Sequence, residues 1–140
     1  MILLTVLEQL YQIAYDNKIT VDHIALDCTE SLSLQDDSMN CYIDINPRMV
    51  KKYNDEVTKL AHELGHCLYG GFYNRYSKFD VRQKHERKAD IWAIKKLIPE
   101  DELCEYVNQG YTEIWQLAEL FDVTDDFMQK AVEFYISEKI

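Results

Sequence analysis

A chain of 140 residues and 16.6 kDa is long enough for one domain with a real core and too short for two comfortable ones. Its 25 Asp and Glu against 15 Lys and Arg leave a net charge of −10, and 47% hydrophobic residues with only four Gly and two Pro read as compact and helix-rich. No apolar run approaches a membrane span, and Met1-Ile2-Leu3-Leu4 has neither the basic start nor the small-residue cleavage site of a signal peptide, so a cytoplasmic location is expected.

The first predicted element is a helix from about Leu3 to Tyr15, with an apolar stripe of Leu3, Val6, Leu7, Leu10, Ile13 and Ala14, ended by Asp16-Asn17-Lys18. Residues 19–33 are ambiguous. Ile24, Leu26 and Cys28 alternate like a strand, but a short helix fits nearly as well. Asp36-Asp37-Ser38 signals a turn, and from Met39 to Asn46 the residues Cys41, Ile43 and Ile45 alternate with Tyr42, Asp44 and Asn46. A strand is expected there, paired with one around Ser31 to Gln35. As an edge strand beside a cleft, Met39–Asn46 is a candidate for pairing with an extended peptide, a plain structural hairpin being the equal alternative.

Pro47 suits the first turn of a helix, and a long helix is predicted from about Pro47 to Tyr69. At about 100° per residue, Val50, Tyr53, Val57, Leu60, Leu64 and Leu68 form one stripe, with His62 and His66 almost opposite. The segment His62-Glu63-Leu64-Gly65-His66 is an H-E-x-x-H motif. Its histidines stand one above the other on one helix face, the geometry of two nitrogen ligands on one Zn²⁺. Glu63 projects to one side of the pair, where it can reach an attacking water as general base.

A catalytic zinc normally takes a third protein ligand. On a second helix from about Arg82 to Ile98, Glu86, Ala89, Asp90, Ala93 and Leu97 share a face, and small Ala89 and Ala93 allow close approach to the first helix. Glu86 can then complete a His₂Glu site while Asp90 accepts a hydrogen bond from the outer nitrogen of one histidine, fixing its tautomer. The linking stretch, Gly70-Gly71-Phe72-Tyr73-Asn74-Arg75-Tyr76-Ser77-Lys78-Phe79, borders such a cleft and could wrap substrate, act as a lid or cover a hydrophobic edge. Tyr69, one turn after His66, is the first choice for stabilising an oxyanion, with Tyr73, Tyr76, His85 and His23 as open alternatives.

Leu60-Ala61-His62-Glu63-Leu64-Gly65-His66, then Glu86-Arg87-Lys88-Ala89-Asp90-Ile91-Trp92-Ala93 and Leu97-Ile98-Pro99, resemble the ImmA/IrrE family of small metallopeptidases. The H-E-x-x-H plus downstream E-x-x-x-D arrangement is also similar to the wider gluzincin group. The resemblance covers most of the chain and is most specific between Lys59 and Pro99. It implies His62, His66 and Glu86 as zinc ligands and Glu63 as catalytic base. It also implies a substrate, since such enzymes are typically encoded beside phage-like helix-turn-helix repressors and cleave them to relieve repression. Family members often carry longer chains with an extra sensor-like domain, whereas this one ends at Ile140.

After Pro99 helices are expected over Glu100–Asn108, closed by Gly110, from Thr112 as cap to Phe121, and from Thr124 as cap to Ser137. Leu117 to Ala131 has a helix-turn-helix pattern, but residues 99–140 hold eleven Asp and Glu against two Lys, a balance of −9 that would repel a phosphate backbone. Part of that acidity is structural, because Glu100, Asp101, Glu102, Asp125 and Asp126 fall in first helical turns. Cys28, Cys41, Cys67 and Cys104 lack a C-x-x-C pair and are expected to be buried free thiols, with Cys67 turned toward the core.

These readings predict one α+β, zincin-like domain over residues 1–140, with a zinc-site core in 1–98 and an acidic helical segment in 99–140. The expected activity is that of a zinc endopeptidase acting on a helix-turn-helix repressor, without direct binding to nucleic acid or membrane. The alternative is a metal-stabilised antirepressor that docks without cutting; an intact Glu63 favours the enzyme.

Overall fold

Thr5 starts the first helix with a reciprocal capping box, its hydroxyl accepting from the Glu8 backbone N–H at 3.1 Å and its own N–H donating to the Glu8 carboxylate at 2.9 Å. Helix α1 therefore spans Val6–Asp16, and Leu3, expected in its stripe, lies outside it and is exposed. The computed structural model describes residues 3–69 and 79–140. After α1 come β1 (Thr20–Asp22), β2 (Ser31–Gln35) and β3 (Cys41–Ile45), then α2 (Tyr53–Tyr69) and α3 (Phe79–Leu97). The described chain ends with α4 (Glu100–Asn108), α5 (Ile114–Phe121) and α6 (Asp125–Glu138). The architecture is α+β, as the residue patterns predict.

The three strands form one sheet in the order β1-β3-β2, with β3 parallel to β1 and antiparallel to β2. This corrects the expectation that Met39–Asn46 is an edge strand. Thr20–Asp22 pairs along its other side, and three residues are too few to announce themselves by alternation. Among the described residues, the sheet edge beside the α2 motif is β2. Neither a strand through Ile24, Leu26 and Cys28 nor a short helix forms; residues 23–30 are irregular.

Helix α2 begins at Tyr53 rather than Pro47. The cause is Asn46, 2% exposed, which donates its side-chain amide to the carbonyls of Leu26 at 2.6 Å and Thr29 at 3.2 Å. Its side-chain oxygen accepts from the Arg48 N–H at 2.9 Å, and its carbonyl accepts from Val50 at 2.9 Å. Pro47–Met49 thus make a turn tied to the irregular segment, and the helix must wait for its end.

One face of α2, with Val57, Leu60 and Leu64 fully buried, packs against α1 and against Cys41, Ile43 and Ile45 of β3. The other face meets α3 through Ala89 and Ala93, also fully buried. A single hydrophobic cluster continues from Leu10 through these helices to Met128, Ala131 and Phe134 of α6. At α5 the expected cap Thr112 is displaced by Glu113, which forms a capping box with Gln116, whereas Thr124 caps α6 as expected through the Phe127 N–H. The four cysteines are free, but Cys28 and Cys104 are exposed rather than buried. Among the described residues no helix is long and apolar enough to cross a membrane.

Candidate metal centre

His62, Glu63 and His66 are held by an α2 that is covered on both sides, which is why Glu63 and His66 are buried and His62 is partly so. Glu63 is 6% and His66 5% exposed. Facing them, α3 places Glu86 with Oε2 2.8 Å from His62 Nε2 and Oε1 3.2 Å from His66 Nε2. The two Nε2 atoms are themselves 3.2 Å apart. One donor atom from each of the three residues fits within a sphere of contacts no wider than 4.8 Å. Donors bound tetrahedrally at about 2.0–2.1 Å stand roughly 3.3 Å from one another, so this set fits a divalent metal with little rearrangement. Two imidazole nitrogens and a carboxylate directed at one point also make sense chemically only around a cation or shared protons.

Asp90, one turn after Glu86, accepts from His62 Nδ1 at 2.8 Å, which leaves Nε2 as the nitrogen turned toward the donor cluster. The second Asp90 oxygen is paired with Lys130 of α6 at 3.1 Å. Burial opposes charge on His62, but Asp90 and Glu86 outweigh it and raise its pKa to about 9. Burial likewise opposes charge on Asp90, yet His62 and Lys130 hold its carboxyl below the usual range. The groups therefore stabilise each other's ionised forms, and a metal cation can take the place of the His62 proton.

Glu63 is held by two serines that the H-E-x-x-H reading does not include. Its Oε2 accepts from the Ser31 hydroxyl and its Oε1 from the Ser33 hydroxyl, each at 2.7 Å. Both serines belong to β2, and register places them opposite Ile45 and Ile43, on the sheet face turned toward α2. A Ser-x-Ser pair on the inward face of a strand was the available signal: that face should be apolar unless it meets a polar group.

Tyr69 is exposed and lines a cavity of about 500 Å³ with Lys88, Ile91, Trp92, Lys95 and Lys96, none of which is in the donor cluster. His23 shares the Tyr11 hydroxyl with Glu56 on the α1 side, each at 2.8 Å. His85 is half-buried on α3 next to Glu86. Tyr73, Tyr76 and all of the linking stretch 70–79 except its last residue, which begins α3, lie outside the described residues. A larger cavity, about 840 Å³, opens beside the cluster between α3 and α6 and is lined by Glu86, Asp90, Arg82, Arg87, Lys130 and Phe134 among others.

An H-E-x-x-H helix packed on a carboxylate-bearing helix, with a small sheet over the glutamate, defines a metallopeptidase-like domain. Residues 26–133 match the Peptidase_M78 family, described as the IrrE N-terminal-like domain, and the chain belongs to that family. Comparison with curated proteins found no match.

Proposed function

We propose that this chain is a zinc-dependent endopeptidase whose ligands are His62, His66 and Glu86. The observation that carries the reading is Glu63: a buried carboxylate, fixed by two hydroxyls, next to three converging donors. A purely structural metal site has no use for a further carboxylate held off the donor cluster. Zinc bound there supplies Lewis acidity toward a peptide carbonyl and toward water. Glu63 then accepts the proton of the attacking water and passes it to the leaving amine, while Asp90 holds His62 in its ligating tautomer. Strand β2, which carries Ser31 and Ser33 and is a sheet edge among the described residues, is the candidate to pair with an extended substrate through main-chain hydrogen bonds.

Two things support the substrate class, the family resemblance and charge. The ImmA/IrrE resemblance implies a helix-turn-helix repressor as substrate, and such proteins are basic where they meet phosphate. Every acidic residue after Pro99 except Glu100 is exposed, and the two lysines there are engaged in ion pairs with Asp90 and Glu100. The α5–α6 pair, despite its helix-turn-helix outline, thus presents negative charge that suits a basic protein and opposes nucleic acid. We expect the protein to act in the cytoplasm, where such a repressor resides, and to cut it in an exposed linker.

The test is to incubate the protein and its Glu63→Gln variant with the repressor encoded beside it. Cleavage by the first alone supports the peptidase. Release of operator DNA by both, with the repressor intact, would instead make the chain a binding antagonist.

A further inference from the structure

We infer that Lys130, on α6, is a positioning residue for the metal centre, acting through Asp90; the inference rests on the metal-centre reading above. The Asp90 carboxylate is spanned by two partners: Oδ1 takes the His62 Nδ1 hydrogen bond at 2.8 Å and Oδ2 the Lys130 ammonium at 3.1 Å. A carboxylate held at one oxygen can swing about its side-chain bond and lose the imidazole. Held at both, it fixes the plane in which His62 presents Nε2 to the cluster.

Lys130 has partners closer in sequence that it does not use. Asp126 stands four residues before it and Glu133 three after, both at helical spacings suited to ordinary surface pairs. It reaches across to α3 instead, over a separation of 40 residues. It is also one of only two lysines among the eleven acids of residues 99–140, so a cation at this position is not part of a general surface pattern. Arg82 and Arg87 line the same cavity, yet among the described residues the cation paired with Asp90 is Lys130. With its side chain 52% exposed, Lys130 can be replaced without opening a hole in the core.

The experiment measures zinc affinity by competition with a chromophoric chelator for the full chain, Lys130→Met, Lys130→Arg, Asp90→Asn and the double variant Asp90→Asn/Lys130→Met. Lys130→Met should weaken zinc by about threefold or more, less than the roughly 10- to 100-fold expected for Asp90 itself. Lys130→Arg should recover most of the loss. In the Asp90→Asn background the Lys130→Met effect should vanish, because the path runs through Asp90. The visible spectrum of the Co²⁺-loaded Lys130→Met protein should shift, and circular dichroism of the metal-free variants shows that they fold; Lys130→Gln replaces any that does not. Wild-type affinity in Lys130→Met, or an equal loss with and without Asp90, overturns the inference while leaving the metal centre intact. A wild-type chain that binds no zinc overturns both.

Discussion

A β-carbon on Gly65 would stand 2.7 Å from the carbonyl oxygen of Ala89 and 2.8 Å from its Cα. Gly65 lies between the two histidines and Ala89 between Glu86 and Asp90, so the helices touch backbone to backbone at the level of the donors. Neither Ala89 atom belongs to a side chain that could swing away. Gly to Ala inside a helix ordinarily stabilises by roughly 0.5–1 kcal/mol. Here Gly65→Ala should destabilise by about 1–3 kcal/mol, as overpacking does, and should lower zinc affinity by moving Glu86 away from the histidines. Thermal unfolding decides the sign, and a stabilised variant would refute the close approach.

Metal content tests the donor set. Protein purified without chelator should carry about one zinc per chain by elemental analysis, and His62→Ala or Glu86→Ala should lose it. Full affinity in Glu86→Ala would place the third ligand elsewhere. Asp90→Asn keeps an acceptor but removes the charge behind His62, so affinity or activity should fall roughly 10- to 100-fold.

Ser31 and Ser33 make a separate prediction, because they touch the base and not the donors. Ser31→Ala/Ser33→Ala should retain zinc and KM while kcat falls about tenfold, part of the roughly 10²–10⁴ that general-base catalysis contributes. Unchanged kcat would reduce the two hydroxyls to partners that merely satisfy a buried carboxylate.

The His62 pKa of about 9 fixes the sign of a pH effect. In metal-free protein the proton on His62 is bound more tightly in the folded state than in the unfolded one, where the ordinary histidine value of 6.5 applies. Its stabilising contribution is full below the unfolded value and is lost as pH rises toward the folded one. Zinc must displace that proton, so near pH 8 binding should release at least one proton per ion in a weakly buffered titration, and apparent affinity should climb with pH. Binding without proton release would show that His62 is already neutral.

Association with a basic repressor should slow between low and physiological ionic strength, since steering by the −9 of residues 99–140 is screened by salt. Operator DNA should compete for the repressor rather than bind this chain. Stopped-flow rates that ignore salt, or direct binding to operator DNA, would remove charge from the account of partner choice.

The sequence by itself determined whatever depends on a local period. The 3.6-residue repeat puts His62 and His66 on one face of α2, and Glu86, Ala89 and Asp90 on one face of α3; the two-residue repeat outlines β2 and β3. Caps at Thr124 and the acidic start of α4 are likewise read from neighbours in the chain. Only the tertiary structure decided what depends on contacts between distant segments. Strand β3 becomes central because a three-residue β1 docks beside it, and α2 starts late because Asn46 is engaged by Leu26 and Thr29. Glu63 acquires its serines across 30 and 32 residues, and Asp90 its lysine across 40. A serine on a short strand or a lysine on an acidic helix looks like surface until packing brings it to a buried charge, and no local repeat records that meeting.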